Sequence, residues 1–83
     1  MSRIRLTGNQ RRNAIVDAAV TIANGKSLAE VNFRSIADCV AVPTSERLIR
    51  YHFGTKERLM RAVADHDRAS AAVVEEARIL GVK

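Results

Sequence analysis

Cationic side chains provide most of the chemistry that this sequence could perform. The stretch LIRYHFGTKERLM at 48–60 places Arg50, Tyr51 and His52 side by side, with Arg47 just before the stretch and Lys56 within it. Guanidinium, ammonium and phenol groups all bind anionic oxygens. Because the chain also has a formal net charge of +5, its composition predicts a polyanion as the partner.

The positive charge is concentrated in the first half of the chain. Residues 1–12 contain four arginines and no acidic residue, whereas residues 65–76 contain four acids. Such polarisation favours a polyanion-binding region over an evenly solvated charged surface. Residues 1–6 are interpreted as a basic arm, in which Arg3 and Arg5 track a DNA backbone or minor groove. The alternative is that these arginines belong to a frayed terminus.

Other chemistries have little support in the sequence. No combination of Ser, His and Asp or of Cys and His predicts a catalytic centre, so we expect no enzymatic activity. Asp65, His66 and Asp67 look like metal ligands in linear order, but consecutive helical residues point about 100° apart and cannot share an ion. We therefore expect no metal and no cofactor. Cys39, the single cysteine, is expected to be a buried, reduced thiol.

Apolar residues at helical spacing predict an all-α fold of four helices. The first helix is predicted to run from a capping box at 7–10 to about residue 24, with Gly25 in the left-handed position that follows it. Asn32 is a good N-cap for the second helix, which should end before Pro43.

The third helix should follow the turn VPTS at 42–45 and end at Gly54. Thr44 or Ser45 is expected to cap its N-terminus. The apolar residues expected to face the core are Leu48, Ile49 and Phe53. The residues left on the outer arc are Ser45, Glu46, Arg47, Arg50 and Tyr51.

The fourth helix, capped by Thr55, is predicted to be the longest and to run unbroken from residue 56 to about residue 80. Residues at heptad spacing along it suggest a coiled-coil seam through which two copies could dimerise. The alternative is that this stripe packs on the first helix and frays beyond it. The dimerisation candidates are Leu59, His66, Val73 and Leu80.

A short second helix, a tight turn and an arginine-rich third helix are the layout of a helix-turn-helix, whose later helix enters the DNA major groove. The segments RRNAIVDAAVTIANGKSLAEVNFRSIA and LIRYHFGTKERLMRAV resemble the N-terminal DNA-binding domain of the tetracycline-repressor (TetR) family over about residues 12–63. The resemblance implies a four-helix TetR-like domain with a three-helix DNA-binding core and a long C-terminal helix. It divides the chain into the basic arm (1–6), the DNA-binding domain (7–63) and a C-terminal helical extension (64–83).

The predicted outer arc and the resemblance together assign candidate DNA contacts. The base-reading candidates are Arg34, Arg47 and Arg50. The phosphate-contacting candidates are Arg3, Arg5, Asn32, Thr44, Ser45, Tyr51, His52 and Lys56. The chain departs from the family pattern in two respects: the segment from Ile36 to Phe53 is slightly longer, and the family's C-terminal ligand-binding domain does not follow.

These observations lead us to expect a sequence-specific transcriptional regulator, a repressor, that binds double-stranded DNA as a homodimer without a small-molecule inducer. No apolar segment is long enough for a signal peptide or a membrane span, so we expect a cytoplasmic, nucleoid-associated protein and no membrane partner. Two alternatives stay open. One is a protein-binding adaptor or antirepressor that acts through its helical tail, and the other is a sequence-tolerant architectural or recombination-accessory DNA-binding protein.

Overall fold

The computed structural model describes residues 8–40 and 44–82, and these ranges contain five α-helices and one 3-10 turn. The helices are α1 (Gly8–Gly25), α2 (Phe33–Cys39), α3 (Glu46–Phe53), α4 (Lys56–Ala64) and α5 (Ala71–Leu80), and the 3-10 turn spans Leu28–Glu30. The prediction of an all-α fold is thus confirmed for the described residues. The predicted contacts of Arg3 and Arg5 and the helix end at Pro43 lie outside them.

The helix α1 is central to the hydrophobic core. Ile15, Ala19 and Val20 of α1 have no exposed surface, and all four other helices pack on α1. Burying one large aliphatic side chain stabilises a fold by about 1.5–3 kcal/mol. The other fully buried large side chains are Leu28, Val31, Ile36, Ile49, Leu59 and Val63. The 3-10 turn, the loop that follows it and the helices α2, α3 and α4 therefore all depend on the same core.

Local capping explains where α2, α3 and α4 begin. Asn32 Oδ1 accepts a hydrogen bond from Ser35 N at 2.8 Å, and Asn32 N donates to Ser35 Oγ at 3.1 Å, which completes a capping box. Ser45 Oγ and Thr55 Oγ1 each accept from the backbone N–H three residues later, both at 3.2 Å. The N-caps predicted for these three helices are confirmed, with Ser45 rather than Thr44 capping α3.

The prediction of one unbroken helix from residue 56 to residue 80 is wrong, because α4 ends at Ala64 and α5 begins at Ala71. Asn24 at the end of α1 stabilises the turn between them. Its Nδ2 donates to Arg68 O at 2.9 Å, and its Oδ1 accepts from Ser70 N at 2.9 Å. Ser70 Oγ in turn caps α5. These tertiary hydrogen bonds satisfy backbone groups that a continuous helix would have paired internally.

A buried edge and a carboxylate fix α5 to the rest of the fold. Val73 and Ala77 of α5 are buried in the common core. Between them, Glu76 accepts hydrogen bonds from Leu28 N at 2.6 Å and from Ala29 N at 3.1 Å. Its two oxygens therefore pair donors at the start of the 3-10 turn, where a negative charge is favourable. The helix α5 belongs to the same core as α1–α4.

Three predictions about single residues are also wrong. Gly25 is the last residue of α1 and does not adopt a positive φ. Cys39 is exposed at the end of α2 instead of buried. Leu48 is 40% exposed, because Ile49 and Phe53 already occupy the inner face of α3.

Candidate nucleic-acid interface

The helix α3 has one buried face and one exposed face. Ile49 and Phe53 are buried, and Ser45 holds the N-terminus of the helix as its cap. On the opposite face, Arg47 is exposed and Tyr51 is 84% exposed. The prediction that an arginine-bearing arc of α3 faces solvent is therefore confirmed. The contacts that this arc makes with DNA remain a prediction.

The two arginines of α3 differ in how they are held. The Arg50 guanidinium lies 3.7 Å from Glu46 Oε1 and 5.1 Å from the centre of the Phe33 ring, so it is drawn towards α2. Arg47 has no ion pair or hydrogen bond with any described residue. Ser45 and both arginines line an open, shallow concavity together with Glu46. Arg47 is therefore more available than Arg50 to bind a ligand in this concavity.

The candidates on α2 are exposed, but only one of them has a free side chain. Asn32 uses its side-chain oxygen in the capping box with Ser35, and its Nδ2 lies 3.4 Å from Glu30 O. Arg34 is exposed and has no hydrogen bond or ion pair with the described part of the chain. A contact of Asn32 with an anion would therefore come from its amide nitrogen, whereas Arg34 is free to use all its donors.

A sharp turn at Gly54 sets the start of α4. Thr55 N donates to Phe53 O at 2.9 Å, and Gly54 has φ 79° and ψ −57°, so these three residues form a γ-turn. Thr55 then caps α4, and Lys56 is the first residue of the helix. The Lys56 ammonium is exposed and lies 3.5 Å from Ala29 O. The cation and the helix N-terminus together make this end of α4 favourable for an anion.

Two of the predicted phosphate contacts are less accessible than expected. The Thr44 hydroxyl is buried and has no hydrogen-bond partner in the described part of the chain. It cannot reach a phosphate in this conformation. His52 is half-buried, and its ring meets the Tyr51 ring edge-on at 6.1 Å between centroids. The His52 ring is therefore only partly open to a phosphate.

A cation that the sequence pattern does not assign to this surface lies at its edge. The Arg12 guanidinium of α1 lies 5.1 Å from the centre of the Phe53 ring at the end of α3. This contact connects the start of α1 to the helix that carries Arg47 and Tyr51. The acid-free run at 1–12 was the available signal, but linear order cannot show that residue 12 meets residue 53.

The predicted coiled-coil seam does not exist in the described residues. Leu59 and Val73 are buried in the protein's own core, so neither can contact a second copy. His66 lies in the turn after α4, where its Nε2 is 3.4 Å from Asp17 Oδ1 of α1. Leu80 is half-exposed. A seam needs one continuous helix, and the break between α4 and α5 removes it.

Comparison of the chain with protein-family models, with curated proteins and with solved structures found no match. Within the described ranges, no cluster of three or more His, Cys, Asp or Glu residues could hold a metal ion. None of the described helices combines the length and the apolarity that crossing a bilayer requires.

Proposed function

We propose that this protein is a sequence-specific DNA-binding transcriptional regulator in which α2 and α3 form a helix-turn-helix of the TetR type. The observation that carries the proposal is the outer face of α3, where Arg47 and Tyr51 are exposed and the opposite face is buried in the core. An α-helix with its side chains is about 10–12 Å across, which fits a major groove about 12 Å wide. The net charge of +5 supports a polyanionic partner.

Base reading is assigned first to Arg47. Its guanidinium has no partner among the described residues, so it can pair with the O6 and N7 acceptors of a guanine. Arg50 would first have to release Glu46, which lies 3.7 Å away, before reaching a base. A bidentate arginine–guanine pair contributes roughly 1–3 kcal/mol of discrimination against other bases.

Phosphate binding is assigned to cations around this face. Lys56 stands at the N-terminus of α4, and Arg12 lies over Phe53 at the end of α3. Contacts to phosphates position a protein on the duplex but carry no sequence information directly. Loss of Lys56 should therefore weaken binding to every DNA sequence alike.

The test begins with selection of bound fragments from random DNA, followed by affinity measurements on the selected operator and on random DNA over a range of salt concentrations. We expect Arg47→Ala to reduce the preference for the operator by about 1–3 kcal/mol. Lys56→Ala should weaken both affinities. It should also make the negative slope of log affinity against log salt shallower by about 0.9. Arg61→Ala is the charge-matched control, because Arg61 is exposed on α4 and pairs with Asp65 at 3.7 Å.

Three outcomes would contradict the proposal. An equal loss on operator and random DNA for Arg47→Ala would refute its assignment to base reading. A steep salt dependence with little preference for any sequence would indicate an architectural DNA-binding protein. Failure to bind DNA at low salt would favour an adaptor that binds other proteins.

A further inference from the structure

We infer that Glu46 determines base specificity and that, together with Arg50, it reads a single C·G base pair in the major groove. This role rests on the proposed function and adds to it a further residue and the base pair that the residue selects. Glu46 is the first residue of α3 and the only acid in that helix. A carboxylate is unfavourable on a surface that binds a polyanion. The cations of α3 do not account for its presence there.

Glu46 and Arg50 lie one turn apart on the flank of α3 that faces α2. The Arg50 guanidinium is 5.1 Å from the centre of the Phe33 ring of α2 and 3.7 Å from Glu46 Oε1, which is too far for a hydrogen bond. The Glu46 carboxylate has no hydrogen bond with any described residue, and its side chain is 49% exposed. It can therefore accept from a ligand while the guanidinium stays beside it.

The start of α3 is a suitable place for reading a base. In helix-turn-helix proteins, the N-terminal residues of the second helix contact the base edges. Glu46 and Arg50 line the concavity at this end of α3, and Ser45 and Arg47 complete its lining. A base edge that entered the concavity would meet the carboxylate and the guanidinium together.

The chemistry of a carboxylate selects cytosine among the four bases. In the major groove, guanine presents two acceptors, and thymine presents an acceptor and a methyl group. Adenine presents an amino donor next to the acceptor N7, whereas cytosine presents its amino donor N4 alone. An ionised carboxylate only accepts hydrogen bonds, so base acceptors repel it. Cytosine is therefore the base that Glu46 favours.

Arg50 complements the other half of the same base pair. The edge of a C·G pair carries the N4 donor of cytosine beside the O6 and N7 acceptors of guanine. Glu46 and Arg50 present an acceptor beside a group of donors, 3.7 Å apart, which is the matching pattern. At other base pairs, the carboxylate would bring a negative charge close to the DNA without gaining a hydrogen bond. Part of the discrimination thus comes from a penalty on wrong sequences.

Selection of bound fragments from random DNA, with the wild-type chain and with Glu46→Gln, tests this role through the base preferred at each operator position. The operator should contain a C·G pair at which Glu46→Gln lowers the preference for cytosine by at least about fivefold, the lower end for a base contact. Adenine should become better tolerated there, because an amide can accept from N6 and donate to N7.

Alanine variants test whether both residues read that pair. Their affinities are measured on the operator and on a copy in which the C·G pair is changed to T·A. Glu46→Ala and Arg50→Ala should each bind the operator more weakly than the wild-type chain does. On the changed operator, Glu46→Ala should bind more tightly than the wild-type chain, because the penalty of the unpaired carboxylate is removed.

Glu57→Gln is the charge-matched control. Glu57 is an exposed acid in the first turn of α4, next to Lys56. Its replacement should raise the affinity for all DNA sequences alike and leave the base preferences unchanged. Acids in the first turn also stabilise their helices, so circular dichroism should confirm an unchanged helix content for every variant.

Three results would overturn the inference. Equal base preferences for the wild-type chain and Glu46→Gln would exclude base reading by Glu46 and leave the proposed function intact. A gain in affinity by the same factor on operator and random DNA for Glu46→Ala would show that its charge only repels DNA. Failure of the wild-type chain to select any operator would overturn this role and the proposed function together.

Discussion

The helices α3 and α5 are built alike but present different outer faces. Each begins at a serine N-cap and ends at a glycine with positive φ, Gly54 after α3 and Gly81 after α5. Each also buries two residues of its inner face. The outer face of α3 carries two arginines and an exposed tyrosine, whereas that of α5 carries a balanced acid–base pair among aliphatic residues.

The two outer faces therefore differ in their balance of charge. An excess of arginine with few acids suits a polyanion, because every cation added strengthens the attraction. A balanced pair of opposite charges, as on α5, offers little to a polyanion. The inner faces of α3 and α5 should determine stability, and the outer face of α3 should determine binding.

The largest expected effect separates an inner-face residue of α3 from an outer-face residue of α5. Ile49 is fully buried and Ile79 is 76% exposed. We expect Ile49→Ala to lower the free energy of unfolding by about 2–5 kcal/mol, through lost burial and the cavity that remains. Ile79→Ala should change it by less than about 0.5 kcal/mol. Urea denaturation measures both values.

The measurement uses dilute protein, so that association between copies does not contribute to either value. A cost above about 1.5 kcal/mol for Ile79→Ala in the monomer would show that α5 buries more than its inner face, which would contradict the division between faces.

The second effect compares the glycines that end the two helices. Gly54 is the central residue of a γ-turn at φ 79°, a strained conformation for a residue with a side chain. A Cβ at this position would have its nearest neighbour, Arg58 Nη1, at 3.8 Å, so the cost of Gly54→Ala is conformational and not steric. We expect it to be about 1–3 kcal/mol in free energy of unfolding.

Gly81 provides the matched substitution. It is in the left-handed region at φ 75° and ψ 28°, at the exposed end of α5 with no atom within 4 Å of a Cβ. Gly81→Ala should cost no more than about 1 kcal/mol, because the last turn of α5 can fray. If Gly54→Ala is as mild as Gly81→Ala, the turn between α3 and α4 is not fixed by its glycine.

The starts of α2, α3 and α4 are determined by local chemistry, so they can be predicted from the sequence. The sequence predicts Asn32 and Thr55 as N-caps, and Ser45 as one of two candidates, because each lies next to the amides that its side chain pairs. The exposed arc of α3 followed from helical spacing alone. These features need only a few consecutive residues, and a single sequence displays them.

The largest errors, in α4 and α5, concern contacts between residues far apart in the chain. The break between α4 and α5 depends on Asn24, whose partners Arg68 and Ser70 are more than forty positions away. Because of this break, Leu59 and Val73 lie on two different helices, and each is buried in the core instead of forming one stripe along a single helix. Periodicity predicts which side of a helix is apolar. It does not show whether that side is buried by residues of the same chain or by a second copy.

The smallest expected effect concerns the ion pairs on the two outer faces. Arg50 pairs with Glu46 at 3.7 Å and lies over Phe33, while Arg78 pairs with Glu75 at 2.7 Å. Exposed ion pairs contribute about 0–1 kcal/mol, so Arg50→Ala and Arg78→Ala should each cost less than about 1 kcal/mol in dilute protein. Arg50→Ala should cost slightly more, because it also removes the contact with Phe33.

Urea denaturation at low and high salt checks this prediction, since screening should reduce the ion-pair part of both costs but not the contact with the ring. A loss above about 2 kcal/mol for either variant would mean that the charges of that outer face support the fold. The exposure of these charged residues would then be no evidence that they bind a partner. If both losses are small, any change in DNA binding for Arg50→Ala reports a lost intermolecular contact and not a weakened helix.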